Sequence, residues 1–315
     1  MNSSTIEKPR WAGEDWLSKI LNVLIATKPI YNLMKLQARK VLIKTAEKNG
    51  IAWLNNLTPQ EQETIKAIKP SLKEELTYPD YYQQPFHAYE EGNLCWQAAF
   101  EAEPATYSMA LRVWPQEDLS WQEAQTRLRS SFHKILGQQG PQSVNKILDI
   151  GCSVGISTRE LHDFYAQRQE TSVQTIGLDL SPHMLSVAQF RDAQHNIHRW
   201  IHAPAENTGL EANTFDLITL QFVIHELPQA ATQQIFQEQL RLLKSGGCLA
   251  IVDNNPQSKV IQNLPPALFT LMKSTEPWTD EYYTLDVEAL LEKIGFSKIS
   301  TQESDPRHRT ILAFK

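Results

Sequence analysis

The sequence predicts an α/β fold for its second half, a doubly wound, mostly parallel seven-stranded sheet with a closing antiparallel hairpin, preceded by a helical N-terminal cap. Three observations predict it. From Val144 onward, short apolar runs alternate with helical patterns, as parallel strands joined by covering helices require. The stretch from Lys146 to Thr158, KILDIGCSVGIST, passes from a buried strand through a Gly-containing turn into a helix. Before Gly137, apolar residues recur mainly at helical spacing. The expected division is therefore a cap over residues 1–137 and a second domain over residues 144–315, joined by the Gly-, Gln- and Pro-rich linker from Gly137 to Ser143.

A chain of 315 residues, 41% hydrophobic and 21% charged, can bury a sizeable core in one large domain or two ordinary ones. Its net charge of -6 lacks the basic footprint of nucleic-acid binding, so no nucleic-acid partner is implied. Cys95, Cys152 and Cys248 have neither disulfide-framework nor metal-ligand spacing, which fits a reducing, cytoplasmic setting. The N-terminus does not have the shape of a signal peptide, and the longest apolar stretch, Leu17 to Ala26, falls short of the roughly 20 residues that span a bilayer.

Taken in order, residues 11–48 place Trp16, Ile20, Leu24, Met34, Ala38, Val41 and Leu42 at helical spacing, with Pro29 expected to divide two helices. From Leu17 to Lys48 there are seven basic residues and one acid. These read first as packing helices with water-facing lysines, and second as a peripheral contact with an anionic membrane surface. Thr58 and Pro59 open a helix ending near Ile68. From Thr58 to Glu103, nine acids stand against three lysines and can face the basic helices. Residues 78–96 gather Tyr81, Tyr82, Phe86, His87, Tyr89 and Trp96 in an irregular segment. Such rings either wall a pocket for a flat or apolar acceptor or fasten a long loop to the surface. Helices follow at 94–113 and 120–137, the second opened by Ser120 with Glu123 three residues on.

In the second half, a helix at 158–168 leads to a strand at 175–180 that holds Asp179, and Ser181 starts another helix. Strands at 199–202 and from Phe215 to Gln221 follow, then a helix at 229–243 and the turn Lys244-Ser-Gly-Gly247 before a fifth strand. Residues 254–278 read as an insertion with a helix, and a last helix ends near Phe296. Strands at 299–304 and 309–314 close the sheet around an Asp305-Pro306 turn.

The run Asp149-Ile-Gly151-Cys152-Ser153-Val-Gly155 resembles the first motif of the class I S-adenosylmethionine-dependent methyltransferases, with Ser153 at a position more often Gly. Further resemblances follow in the family's order: Asp179, the Ser181-Pro-His-Met184 helix start, Phe215-Asp216-Leu-Ile, and Leu-Leu-Lys-Ser-Gly-Gly before the fifth strand. The resemblance covers about residues 144–315, implies S-adenosylmethionine as cofactor, and is nearest to the ubiquinone and menaquinone C-methyltransferases. It implies cofactor contacts at Asp149, Gly151, Cys152, Ser153 and Gly155, and at Asp179 and Leu180, the acid accepting from the ribose hydroxyls. It also implies Met184 as a wall for the adenine, and Gln221 and Phe222 beside the methionine part. Pro204 replaces the acid that usually takes the adenine amine, leaving the main chain of Ala205 or Glu206 for that contact.

Methyl transfer needs an aligned acceptor and, when the nucleophile carries a proton, a base. His225, after the fourth strand, is the first candidate base and His87 the second; each has a packing role as its alternative. Glu226 either contacts the acceptor or is a solvated helix-start acid. Tyr81, Tyr82, Tyr89 and Trp96 are the expected acceptor walls. No metal is expected, because Gln221-Phe-Val offers no second acid to join Asp253. The reading is methyl transfer to a small, aromatic or apolar acceptor. Two alternatives are a S-adenosylmethionine-binding scaffold without turnover, suggested by Ser153 and Pro204, and a nicotinamide-dependent reductase, which the missing third glycine of a dinucleotide turn disfavours.

Overall fold

A computed structural model describes residues 8–13, 19, 23, 28–68, 70 and 76–315. Among the described residues, one sheet contains β1 (Lys146–Ile150), β2 (Gln174–Asp179), β3 (Arg199–His202), β4 (Phe215–Gln221), β5 (Leu243–Asn254), β6 (Ser297–Glu303) and β7 (His308–Phe314). Its order is β3-β2-β1-β4-β5-β7-β6. The first five strands are parallel, and β7 runs antiparallel to both β5 and β6. The doubly wound sheet and its closing hairpin are thus as the sequence implied. Ile147, Leu148 and Ile150 are fully buried, as a strand covered on both faces demands. The chain leaves β1 in opposite directions toward β2 and β4, so a crevice opens beyond the carboxyl ends of these strands, where open α/β sheets bind ligands.

The cap consists of α1 (Lys28–Lys48), α2 (Pro59–Ala67), α3 (Trp96–Ala110) and α4 (Trp121–Gln139). Capping boxes open α2 at Thr58 with Glu61 and α4 at Ser120 with Glu123. The helix expected before Pro29 falls largely outside the described residues. Pro29 itself stands in the first turn of α1, where a missing N–H costs nothing because that donor has no helical partner. Trp16, Ile20 and Leu24 lie outside the described residues. Arg39 of the basic segment turns inward and pairs with Glu101 on α3, while Lys40, Lys44 and Lys48 remain exposed. Among the described residues, no helix is long and apolar enough to cross a membrane.

The remaining helices are α5 (Ile156–Ala166), α6 (Pro182–Arg191), α7 (Gln229–Leu242), α8 (Lys259–Gln262), α9 (Pro266–Thr275), α10 (Thr279–Thr284) and α11 (Val287–Ile294). The insertion therefore holds two short helices, α8 and α9, where one was expected, and α10 follows directly after it. Residues 8–13 dock against it. The Trp11 indole N–H donates to the Ile261 carbonyl at 3.0 Å, and its ring stacks on Phe269 and meets the edge of Tyr283. Lys273 donates to the Trp11 carbonyl and to Asp280. With α1 packed on α3 and α9, the cap and the insertion form one roof over the crevice.

Gly155 begins α5 with φ +76°, a left-handed conformation, and a Cβ there would come within 2.4 Å of the Trp200 ring. Gly177 faces the same indole, with its Cβ position 2.6 Å away. The space at Gly155 is thus filled by Trp200 rather than by a ligand. Gly155→Ala is expected to cost about 2–4 kcal/mol, from the left-handed backbone and the overpacked indole together. A urea unfolding midpoint measures it, and a loss under about 1 kcal/mol would show that Trp200 moves aside freely.

Candidate active site

The crevice and its roof enclose a cavity of about 1070 Å³. This is at the upper end of the about 300–1,000 Å³ that ligand pockets span. Its floor is the turn after β1 with the ends of β2, β4 and β5; its walls and roof come from α1, the 81–89 segment, α3, α4 and α9.

The turn after β1 explains its own sequence. Gly151 has φ +67°, and a Cβ there would be 2.7 Å from Val223. Ser153, in the place more often occupied by Gly, adopts φ +49°, and its N–H donates to the Asp179 carboxylate at 2.8 Å. The bond offsets the conformational cost a non-glycine residue bears there. Gly151, Cys152, Ser153, Leu180, Met184, Ala205, Gln221 and Phe222 all line the cavity with Asp179. Asp149 does not. Its carboxylate accepts from Thr158 (2.7 Å), Thr219 (2.6 Å), Ser157 and Gln221 (each 3.3 Å). Its four donors commit it to bracing the turn. Gly155 also stands off the cavity wall.

Asp179 closes β2 with its carboxylate toward the cavity, accepting from the N–H groups of Ser153 and Ser181 at 2.8 Å each. Burial pushes its pKa up to about 6, against those donors, so at neutral pH it is an ionised acceptor with lone pairs to spare. Opposite, the buried Gln221 Oε1 has no partner among the described residues. A carboxylate for a diol, an unused amide oxygen, and backbone from Gly151 to Ser153 together fit a nucleoside carrying an amino acid. The Ala205 carbonyl lines the same wall but already accepts from Gln239 at 3.2 Å. Glu206 does not line the cavity; Tyr81 donates to it at 2.5 Å, and it borders a smaller hollow outside.

The segment after β4 supplies the ionisable groups. The His225 imidazole bonds through Nδ1 to Asp253 Oδ1 at 2.7 Å, and the His225 N–H donates to Asp253 Oδ2. Burial alone would lower its pKa; the Asp253 carboxylate outweighs this, with Glu276 and Glu226 adding, and pushes it up to about 10. His225 is therefore an imidazolium at neutral pH, not the neutral base expected from an unperturbed histidine. Glu226 is the group shifted toward basicity. Burial pushes its carboxyl up to about 8, with the His225 charge acting against this and Glu276, Asp253 and Asp179 with it.

His87 reaches the same place from the roof. Phe86 and Tyr89 exchange backbone hydrogen bonds around a turn in which His87 and Ala88 both have positive φ, 49° and 72°. This backbone is unusual for residues with side chains and is stored where it aims a side chain at a site. His87 Nε2 lies 3.6 Å from Glu226 Oε1. His87, 40% of whose side chain is accessible, lines the cavity; burial and the His225 cation hold its pKa down, to about 3. Tyr81, Tyr82 and Tyr89 line the cavity with phenol pKa values raised by burial, so they remain protonated. Tyr89 donates to Glu101 in the Arg39 network. Trp96 is the exception among the expected walls: it stacks on Phe100 and meets His183 edge-on outside the cavity, fastening α3 to α6.

Sequence reading missed Arg129, Arg112 and Arg307 among the lining residues, and missed that Asp253, which does not itself line the cavity, pairs with His225 28 positions away. Arg129 lies in the apolar stripe of α4 beside Leu128 and Phe132, 6% exposed, with Nε and Nη1 unpartnered among the described residues and its guanidinium over the Phe222 ring. A charged residue in an otherwise apolar stripe was the signal available for it. Arg112 and Arg307 complete the list.

A family profile described as a methyltransferase domain matches residues 148–251. A curated relative, demethylmenaquinone methyltransferase of Bacillus pumilus, is 26% identical over 186 residues, covering 53% of this chain and 77% of that protein. The protein of the same name from Bacillus licheniformis is 30% identical over 108 residues, which is 34% of this chain and less than half, 44%, of that protein. Among solved structures, phosphoethanolamine N-methyltransferase 2 of Haemonchus contortus in complex with S-adenosyl-L-methionine aligns with a TM-score of 0.45 and 20% identity, over 59% of this chain and 52% of that one.

Proposed function

Since the chain belongs to the class I S-adenosylmethionine-dependent methyltransferases, we propose that it methylates a small aromatic or apolar acceptor inside the cavity. The observation that carries this reading is the single enclosed space that brings Asp179 together with the His225–Asp253 pair and Glu226. Asp179 would hold the ribose hydroxyls, Gly151 to Ser153 would border the amino-acid portion, Met184 would flank the adenine, and Arg129 has a free guanidinium for a carboxylate. The cofactor, when bound, supplies an electrophilic methyl group.

The chain's own residues handle the acceptor proton. Glu226, poised near neutrality, accepts it, and the His225 imidazolium holds the resulting anion through Nε2. Asp253 keeps His225 charged and oriented. Neutral His87 borders Glu226 and, with Tyr81 and Tyr82, separates the acceptor from water. The curated relatives are named for demethylmenaquinone, and an acceptor of that kind is one member of the class proposed. The test is calorimetric titration with S-adenosylmethionine and S-adenosylhomocysteine, then release of S-adenosylhomocysteine in the presence of a panel of phenols and quinols. Absence of binding by folded protein would overturn the reading, and binding without release from any acceptor would favour a scaffold.

A further inference from the structure

The roof and the far end of the crevice carry a pair of cationic side chains that the proposed chemistry does not use. Arg112 stands in the turn after α3 and Arg307 in the turn between β6 and β7, and both line the cavity. Arg112 has neither an ion pair nor a side-chain hydrogen bond among the described residues, and burial together with the Arg307 charge opposes its ionisation. Arg307 spends one donor on Asn254 at 2.9 Å and leaves the rest of its fork open. The carboxyl that acts on Arg307 is Glu276, whose own ionisation burial opposes. Two guanidiniums lining one cavity, near enough that the charge of one opposes ionisation of the other, are costly unless an anion joins them.

Their place in the fold says which ligand that anion belongs to. Arg307 sits beyond the end of β5, where its carbonyl accepts from Asn255. Asp179 ends β2, and β1 and β4 stand between β2 and β5. At the spacing of neighbouring strands, Arg307 is about 14 Å across the sheet from Asp179. His225 and Glu226, after β4, fall between the two. A cofactor anchored at Asp179 has Arg129 nearer at hand for its own carboxylate. We infer that the acceptor bears an anionic group, a carboxylate or a phosphate, that docks between Arg112 and Arg307 while its apolar body lies over Phe222. This rests on the methyl-transfer reading and narrows its acceptor to anionic, apolar-bodied molecules. Planar guanidinium forks suit both oxyanions, and the charge-assisted bonds they make are stronger than neutral ones.

The test compares benzoate and phenyl phosphate with neutral benzyl alcohol by calorimetry, on protein alone and saturated with S-adenosylhomocysteine. At least one anion is expected to bind tenfold or more tighter than benzyl alcohol, the better of the two distinguishing carboxylate from phosphate. Arg112→Gln should erase that preference and leave S-adenosylhomocysteine affinity unchanged. Should R112Q fail to fold, R307Q and the charge-keeping Arg112→Lys carry the same comparison. Equal binding of the anions and benzyl alcohol, or a preference that survives R112Q and R307Q, overturns the inference. Failure of the protein to bind S-adenosylhomocysteine overturns the methyl-transfer reading instead, and the anion comparison on protein alone still decides the arginine site.

Discussion

Asp179→Ala is expected to weaken S-adenosylhomocysteine binding at least about a hundredfold, the scale of two charge-assisted hydrogen bonds lost from a buried site. Asp179→Asn should fall between mutant and wild type, because an amide keeps one acceptor oxygen. The pH dependence has a defined sign. Burial raises the Asp179 pKa to about 6, so the ionised acceptor is present above that pH and lost below it. Cofactor affinity should hold from pH 8 to 7 and fall about tenfold per unit below 6, the single-group slope. The same titration on the variant should be flat. A wild-type affinity unchanged at pH 5, or a D179A protein binding as tightly as wild type, would remove Asp179 from the cofactor site.

Turnover should follow a bell-shaped pH profile with a rising limb near pH 8 and a falling limb near pH 10. The rising limb belongs to Glu226, active once ionised, and the falling limb to His225, active while protonated. Glu226→Gln is expected to lower kcat/KM by about 10²–10⁴, the usual contribution of a positioned proton acceptor, and to abolish the rising limb. His225→Gln should remove the falling limb and cost about 10²–10³, as loss of a donor to a developing anion does. Asp253→Asn leaves the ring in place without its counter-charge, so the falling limb should move to lower pH. If H225Q keeps the falling limb, the imidazolium does not act on the acceptor. These rates require an acceptor, and S-adenosylhomocysteine release from a phenol panel supplies the readout.

The sheet was readable because each of its strands is a local pattern. Leu217, Ile218 and Leu220 in β4, like Ile147 and Leu148 in β1, announce double-sided burial without reference to the rest of the chain. The caps at Thr58 and Ser120 are equally local. The part of the cavity wall around Gly151, Ser153 and Asp179 was legible for the same reason: they occupy one turn and one strand end. What failed was pairwise. Asp149 looked like a ligand until Thr158 and Thr219 claimed its oxygens, and Glu206 until Tyr81 did. Gly155 looked like a ligand approach because nothing local shows that Trp200 fills the space beside it. His225 looked like an ordinary base because its charge is set by Asp253, on another strand. Tyr89 lies on the irregular segment and Trp96 opens α3, and only the packing of α3 on α6 decides which of them reaches the cavity.

The docking of Trp11 onto Ile261, 250 residues further along, also sets an order of events during synthesis. At about 5–20 residues per second, a ribosome needs roughly 10–50 s to pass from one partner to the other. Through that interval the segment around Trp11 has no partner in α8–α10 to cover it, although α1 to α7 and the five parallel strands have already emerged by its end. In the finished molecule the same seam joins the parts of the chain furthest apart in sequence. Loosening it would free the segment around Trp11 from α8–α10 without breaking a strand pair.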